Sequence, residues 1–114
     1  MKKKICIVTG TRAEWGLLSR LAGLIRLDSG LQLQIIATNM HLDPRYGNTY
    51  KEIEEAGFTI DYRVPMNATG DDAQSTVKSM GNAVSGFADA YQALRPNMLV
   101  VLGDRYEILA AVQA

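Results

Sequence analysis

The chain has 114 residues, 47% of them hydrophobic and 21% charged, the composition of an ordinary soluble globular domain. Its formal net charge is zero, which removes any global electrostatic case for binding nucleic acid or an acidic membrane surface. The single cysteine, Cys6, excludes an internal disulfide and fits a buried residue in a reduced, cytoplasmic protein.

Lys2-Lys3-Lys4 precedes an apolar run, Ile5 to Val8, far too short for a signal peptide or a membrane span. Lys4 to Thr9 is apolar and β-branched and predicts a first strand. Gly10 to Gly16 then leads into Leu17, Leu18, Leu21, Leu24 and Ile25, a helical spacing expected to form one apolar face, closed by Asp28-Ser29-Gly30. Leu31 to Thr38 predicts strand two, and Asn39 to Asn48 a loop with His41, Pro44 and Gly47. A short helix over Thr49 to Ala56, closed by Gly57, precedes a third strand over Phe58 to Val64 and a loop over Pro65 to Gly70.

Asp71 to Leu94 carries Val77, Met80, Val84, Phe87, Tyr91 and Leu94 at steps of three and four, the stripe of a long amphipathic helix packed on the sheet. Gly81 and Gly86 weaken that helix and allow a close neighbour. Arg95-Pro96 stops it. Met98 to Leu102 is a continuous apolar run, expected as a strand buried on both faces, and it ends in Gly103-Asp104-Arg105. Ile108 to Ala114 reads as helix without a stop signal, so the chain is expected to be the first part of a longer protein. The order β-α-β-α-β-α-β-α predicts a doubly wound parallel α/β sheet, most simply in order 3-2-1-4.

In that topology the segments after each strand share one sheet edge, where ligands of open α/β sheets bind. They carry Arg12 and Glu14 after strand one, His41 and Arg45 after strand two, and Asp104, Arg105 and Glu107 after strand four. Gly10-Thr11-Arg12 offers backbone N–H groups and a guanidinium to a phosphate, or is simply the start of a helix. It is neither a dinucleotide fingerprint nor a Walker loop. His41 is the one histidine, so no metal site is built from histidines. It is either an acid/base or oxyanion donor, or a solvent-facing turn residue. Asp104 beside Arg105 is either a structural ion pair and helix cap, or a carboxylate held ionised for use as a base.

Three stretches are similar to one known family. Val8-Thr9-Gly10-Thr11-Arg12-Ala13-Glu14-Trp15-Gly16 resembles the opening of the UDP-N-acetylglucosamine 2-epimerases. His41-Leu42-Asp43-Pro44-Arg45-Tyr46-Gly47-Asn48-Thr49-Tyr50 with Ile53-Glu54, and Leu102-Gly103-Asp104-Arg105-Tyr106-Glu107, resemble the hydrolysing branch. The non-hydrolysing branch typically carries Gly-Thr-Arg-Pro-Glu and Gly-Asp-Thr, where this chain has Ala13 and Arg105. The resemblance implies residues 1–114 of a Rossmann-like amino-terminal domain in a glycosyltransferase-B fold, with the remainder and a second domain absent and the fragment inactive alone.

The implied reaction converts UDP-N-acetylglucosamine and water to N-acetylmannosamine and UDP, as in sialic acid biosynthesis, by elimination to a glycal and hydration with inversion at C2. Asp104 matches the family's acid/base position, with Arg105 and His41 as further catalytic candidates. Gly10, Thr11, Arg12, Glu14 and Arg45 are the substrate-binding candidates, with Arg12 on the diphosphate. Neither a metal nor a cofactor is implied, and the full-length protein is expected to be a homodimer. The alternatives are a non-hydrolysing epimerase, a hydrolysing epimerase for a UDP-diacetamido sugar, and a nucleotide-sugar-binding module without catalysis.

Overall fold

The computed structural model describes residues 2–66, 72–103 and 105–114. Four parallel strands, β1 (Lys3–Thr9), β2 (Leu31–Thr38), β3 (Tyr62–Val64) and β4 (Met98–Val100), form one sheet in the order β3-β2-β1-β4. The crossovers are α1 (Arg12–Leu27), α2 (Tyr50–Glu55) and α3 (Ala73–Leu94), and α4 (Tyr106–Gln113) follows β4. The predicted doubly wound order is the observed one. Among the described residues, no helix is long and apolar enough to cross a membrane.

Alternation along the strands divides the core in two. Ile5 and Ile7 of β1 and Ile35 of β2 join Trp15, Leu18, Ala22 and Ile25 of α1 and Ile53 of α2. Cys6, Val8 and Ile36 point the other way, onto Ala83, Phe87 and Ala90 of α3 and Ala110 and Ala111 of α4. The Tyr91 hydroxyl donates to the Ala111 carbonyl at 2.6 Å and ties α3 to α4. Burial, with Asp61 adding to it, pushes the Cys6 thiol up to about 12, so it is an inert packing group as expected.

Several expectations need correction. The face of α1 is turned by about one residue, roughly 100° of helix: Leu18 and Ile25 are buried, but Leu17, Leu21 and Leu24 are exposed. Trp15 sets that rotation by packing edge-on against Phe58, with ring centroids 5.2 Å apart. Strand three is shorter than Phe58 to Val64, because the Asp61 side chain accepts the Ile35 N–H at 2.7 Å where a strand would offer a carbonyl. Phe58 and Ile60 pack on the α1 side instead. Val77 lies outside the α3 stripe and is exposed.

β4 also departs from its prediction. It ends at Val100 and is the sheet's edge, with Met98 exposed rather than buried on both sides. Of the two α3 glycines, only Gly86 is closely approached: a Cβ there would lie 2.7 Å from Val64 Cγ1, whereas Gly81 faces open space. Helix α3 ends with Arg95 in the left-handed region at φ 47°, its N–H donating to the Tyr91 carbonyl at 2.8 Å, and Pro96 prevents continuation.

Candidate active site

Parallel pairing of β2 and β4 on either side of β1 brings the segments after these strands to the same carboxyl edge. The sheet order reverses between β1 and β4, and this is where an α/β sheet opens a crevice. Gly10, Thr11 and Glu14 reach the crevice from β1, and Gly103, Arg105 and Glu107 from β4.

Thr11 caps α1. Its hydroxyl accepts the Glu14 N–H at 3.2 Å, and Glu14 Oε1 reaches back to accept the Gly10 N–H at 2.8 Å. This reciprocal arrangement is a capping box. It engages the Gly10 N–H, one of the backbone donors expected to hold a phosphate, so anion binding at this edge leans more on guanidinium groups. Burial raises the Glu14 carboxyl above its usual range, helped by Glu107 and opposed by the Gly10 and Thr11 N–H groups and by Arg105.

On the β4 side, Gly103 turns the chain at φ 88° and Arg105 opens α4. Arg105 Nε donates to Glu107 Oε1 at 2.6 Å. Glu107 is completely buried, and its Oε2 has no hydrogen-bond partner among the described residues. Gly10 lies against it so closely that a Cβ would sit 2.9 Å from Glu107 Cγ. Asp104, the predicted acid/base group, lies outside the described residues.

His41 is not a solvent-facing turn residue. It is fully buried, with Nε2 2.9 Å from the Thr9 hydroxyl and Nδ1 3.0 Å from the Thr49 hydroxyl. Burial lowers its pKa to about 4, against the weaker opposing effect of the Thr11 backbone, so the imidazole is neutral near pH 7. A neutral ring that meets one hydroxyl with each nitrogen pins the ends of β1 and β2 to α2.

Arg12 and Arg45 stand apart from this cluster. Arg12 Nε pairs with Glu52 Oε2 at 3.1 Å, largely in solvent. Arg45 grips Asp43 through Nε and Nη2, at 3.0 and 2.8 Å to Oδ2, and this lowers the Asp43 pKa.

The structure therefore gathers Gly10, Thr11, Glu14 and Arg105 around Glu107, which the sequence placed on this edge without a catalytic or binding role. The signal for it was present in the pattern. Glu107 lies three and four residues before Ala110 and Ala111, so it shares their inward stripe rather than forming an ordinary first-turn charge.

The family model described as UDP-N-acetylglucosamine 2-epimerase matches residues 25–114. A Campylobacter jejuni protein named GDP/UDP-N,N'-diacetylbacillosamine 2-epimerase (hydrolyzing) is 53% identical over 109 residues, covering 96% of this chain and 28% of that protein. A Legionella pneumophila protein named UDP-N,N'-diacetylbacillosamine 2-epimerase (hydrolyzing) is 37% identical over 114 residues, covering all of this chain and 30% of its own length. Among solved structures, a Neisseria meningitidis UDP-GlcNAc 2-epimerase bound to UDP-GlcNAc superposes with a TM-score of 0.76 at 20% identity, over 96% of this chain and 28% of that one. The chain thus spans under a third of the length of the curated relatives it matches.

Proposed function

This chain belongs to the UDP-N-acetylglucosamine 2-epimerase family, and from that premise we propose that a full-length protein carrying it is a hydrolysing UDP-sugar 2-epimerase. The observation that carries the hydrolysing outcome is the 53% identity to a relative whose name specifies hydrolysis. The same relative favours a UDP-linked diacetamido sugar as substrate. UDP-N-acetylglucosamine, giving N-acetylmannosamine, is the second reading, favoured by the name of the matching family. A cytoplasmic homodimer belongs to the same proposal.

In this reading a base removes the C2 proton, its electron pair forms the C1–C2 double bond, and UDP departs with the C1–O pair. Water then adds oxygen at C1 while a proton returns to C2 on the opposite face. Asp104, which follows Gly103 in the sequence and matches the family's acid/base position, is the proposed base. Arg105, with Arg12 and Arg45 further out, meets the negative charge that grows on the leaving diphosphate. The Thr11–Glu14 capping box and the His41 clamp hold the β1 and β2 ends that precede Arg12 and Arg45.

The test is product analysis in D₂O with each UDP-sugar in turn. A free 2-epimeric sugar carrying deuterium at C2, together with UDP, is the expected result. An epimeric UDP-sugar without free sugar contradicts hydrolysis, and no turnover with tight binding favours a non-catalytic module.

A further inference from the structure

Arg105 follows β4, one of the two strands that flank the point where the sheet order reverses, and its side chain is 38% exposed. Its Nε faces inward to Glu107, while its two terminal nitrogens donate no hydrogen bond to the described residues. A guanidinium held by Nε alone keeps its paired terminal N–H edge for a bidentate anion. Glu107 is in turn held rigidly, with no exposed surface and the Gly10 backbone packed against its Cγ.

An exposed first-turn glutamate would favour α4 through the helix dipole alone, without being buried. Here a carboxylate is taken out of water beside Glu14, and one of its oxygens has no hydrogen-bond partner among the described residues. Such burial is unfavourable unless the ion is paired with good geometry. Among the described residues, the one pairing it makes is the short bond to Arg105.

We propose that Glu107 is a positioning residue that locks Arg105 through Nε and so presents its terminal N–H pair to the diphosphate of a UDP-sugar. This rests on the reading under Proposed function and adds a residue to it. The lock makes Arg105 and Glu107 one unit, so their effects on diphosphate binding are not additive.

The experiment is a double-mutant cycle in a full-length protein carrying this chain, with UDP as the probe. Its readouts are UDP affinity, KM for the UDP-sugar and melting temperature. Arg105→Lys should weaken UDP about tenfold, because lysine lacks the planar fork. Glu107→Gln, which keeps the shape of the side chain but loses its charge, should weaken UDP by a similar factor and raise KM in parallel. The double variant should lose little more than either alone.

If Glu107→Gln does not fold, Glu107→Asp replaces it, since a retained charge on a shorter arm still breaks the 2.6 Å contact. Additive losses overturn the proposal, as does normal UDP affinity in a folded Glu107 variant when Arg105→Lys is impaired. In both cases the nucleotide-sugar reading stands. A wild-type protein that does not bind UDP overturns both.

Discussion

His41 shows how a single residue can be misread from its neighbours. In the sequence it sits among turn formers, which suggests exposure, yet Thr9 and Thr49 close over both ring nitrogens. Its pH behaviour follows from that burial. An unfolded chain protonates this ring below about pH 6.5, while the folded ring stays neutral down to about pH 4. Between those values the unfolded state binds more protons, so stability falls as pH falls, with roughly 3 kcal/mol at stake for a pKa lowered to about 4. Denaturant unfolding at pH 7, 5.5 and 4 should show this loss in the wild type and a shallower slope in His41→Gln. Asp104 makes a different forecast in a full-length protein. If it is the C2 base, Asp104→Asn should lower kcat about 10²–10⁴-fold with little change in substrate affinity. A lower melting temperature with near-normal kcat would make Asp104 a structural cap instead.

At the level of elements, the two glycines of α3 give opposite predictions from the same substitution. Gly81 meets nothing within 4 Å of a built Cβ, so Gly81→Ala should stabilise the protein by about 0.5–1 kcal/mol through helix propensity. At Gly86 the same methyl would strike Val64 Cγ1 at 2.7 Å, and Gly86→Ala should destabilise by about 1–3 kcal/mol. Paired denaturation curves check both signs. The sequence allowed a close approach at either position, and only the placement of Val64 on β3 selects Gly86. The centres of β1, β2 and α3 were legible because continuous or periodic apolar runs admit few other folds. The side of α1 that faces inward was not, because leucines occupy two adjacent stripes and the choice depends on where Trp15 finds Phe58. The length of β3 was hidden for a similar reason: an aspartate that imitates a backbone acceptor is invisible to propensity. The cluster at the crevice was legible in Gly10, Thr11 and Arg105, whereas Arg12 pairs with Glu52 and Asp104 lies outside the described residues. The role of Glu107 at its centre required the approach of Gly10, some hundred residues earlier.

For the molecule as a whole, this chain makes up under a third of its curated relatives' length. Purified alone, it should release no UDP from UDP-N-acetylglucosamine or from a UDP-diacetamido sugar above a blank, measured by a coupled UDP assay. Release above the blank would mean that one edge suffices for elimination. The central position of β1 has a further consequence, one of timing. Its pairing with β2 needs only the first 38 residues, but its other flank waits for Val100. During synthesis at about 5–20 residues per second, the roughly sixty intervening residues take about 3–12 s to emerge. Throughout that interval the Cys6–Val8 face of β1 lacks the complete α3–α4 cover, and the nascent chain depends on its speed of completion to avoid finding a partner in another chain.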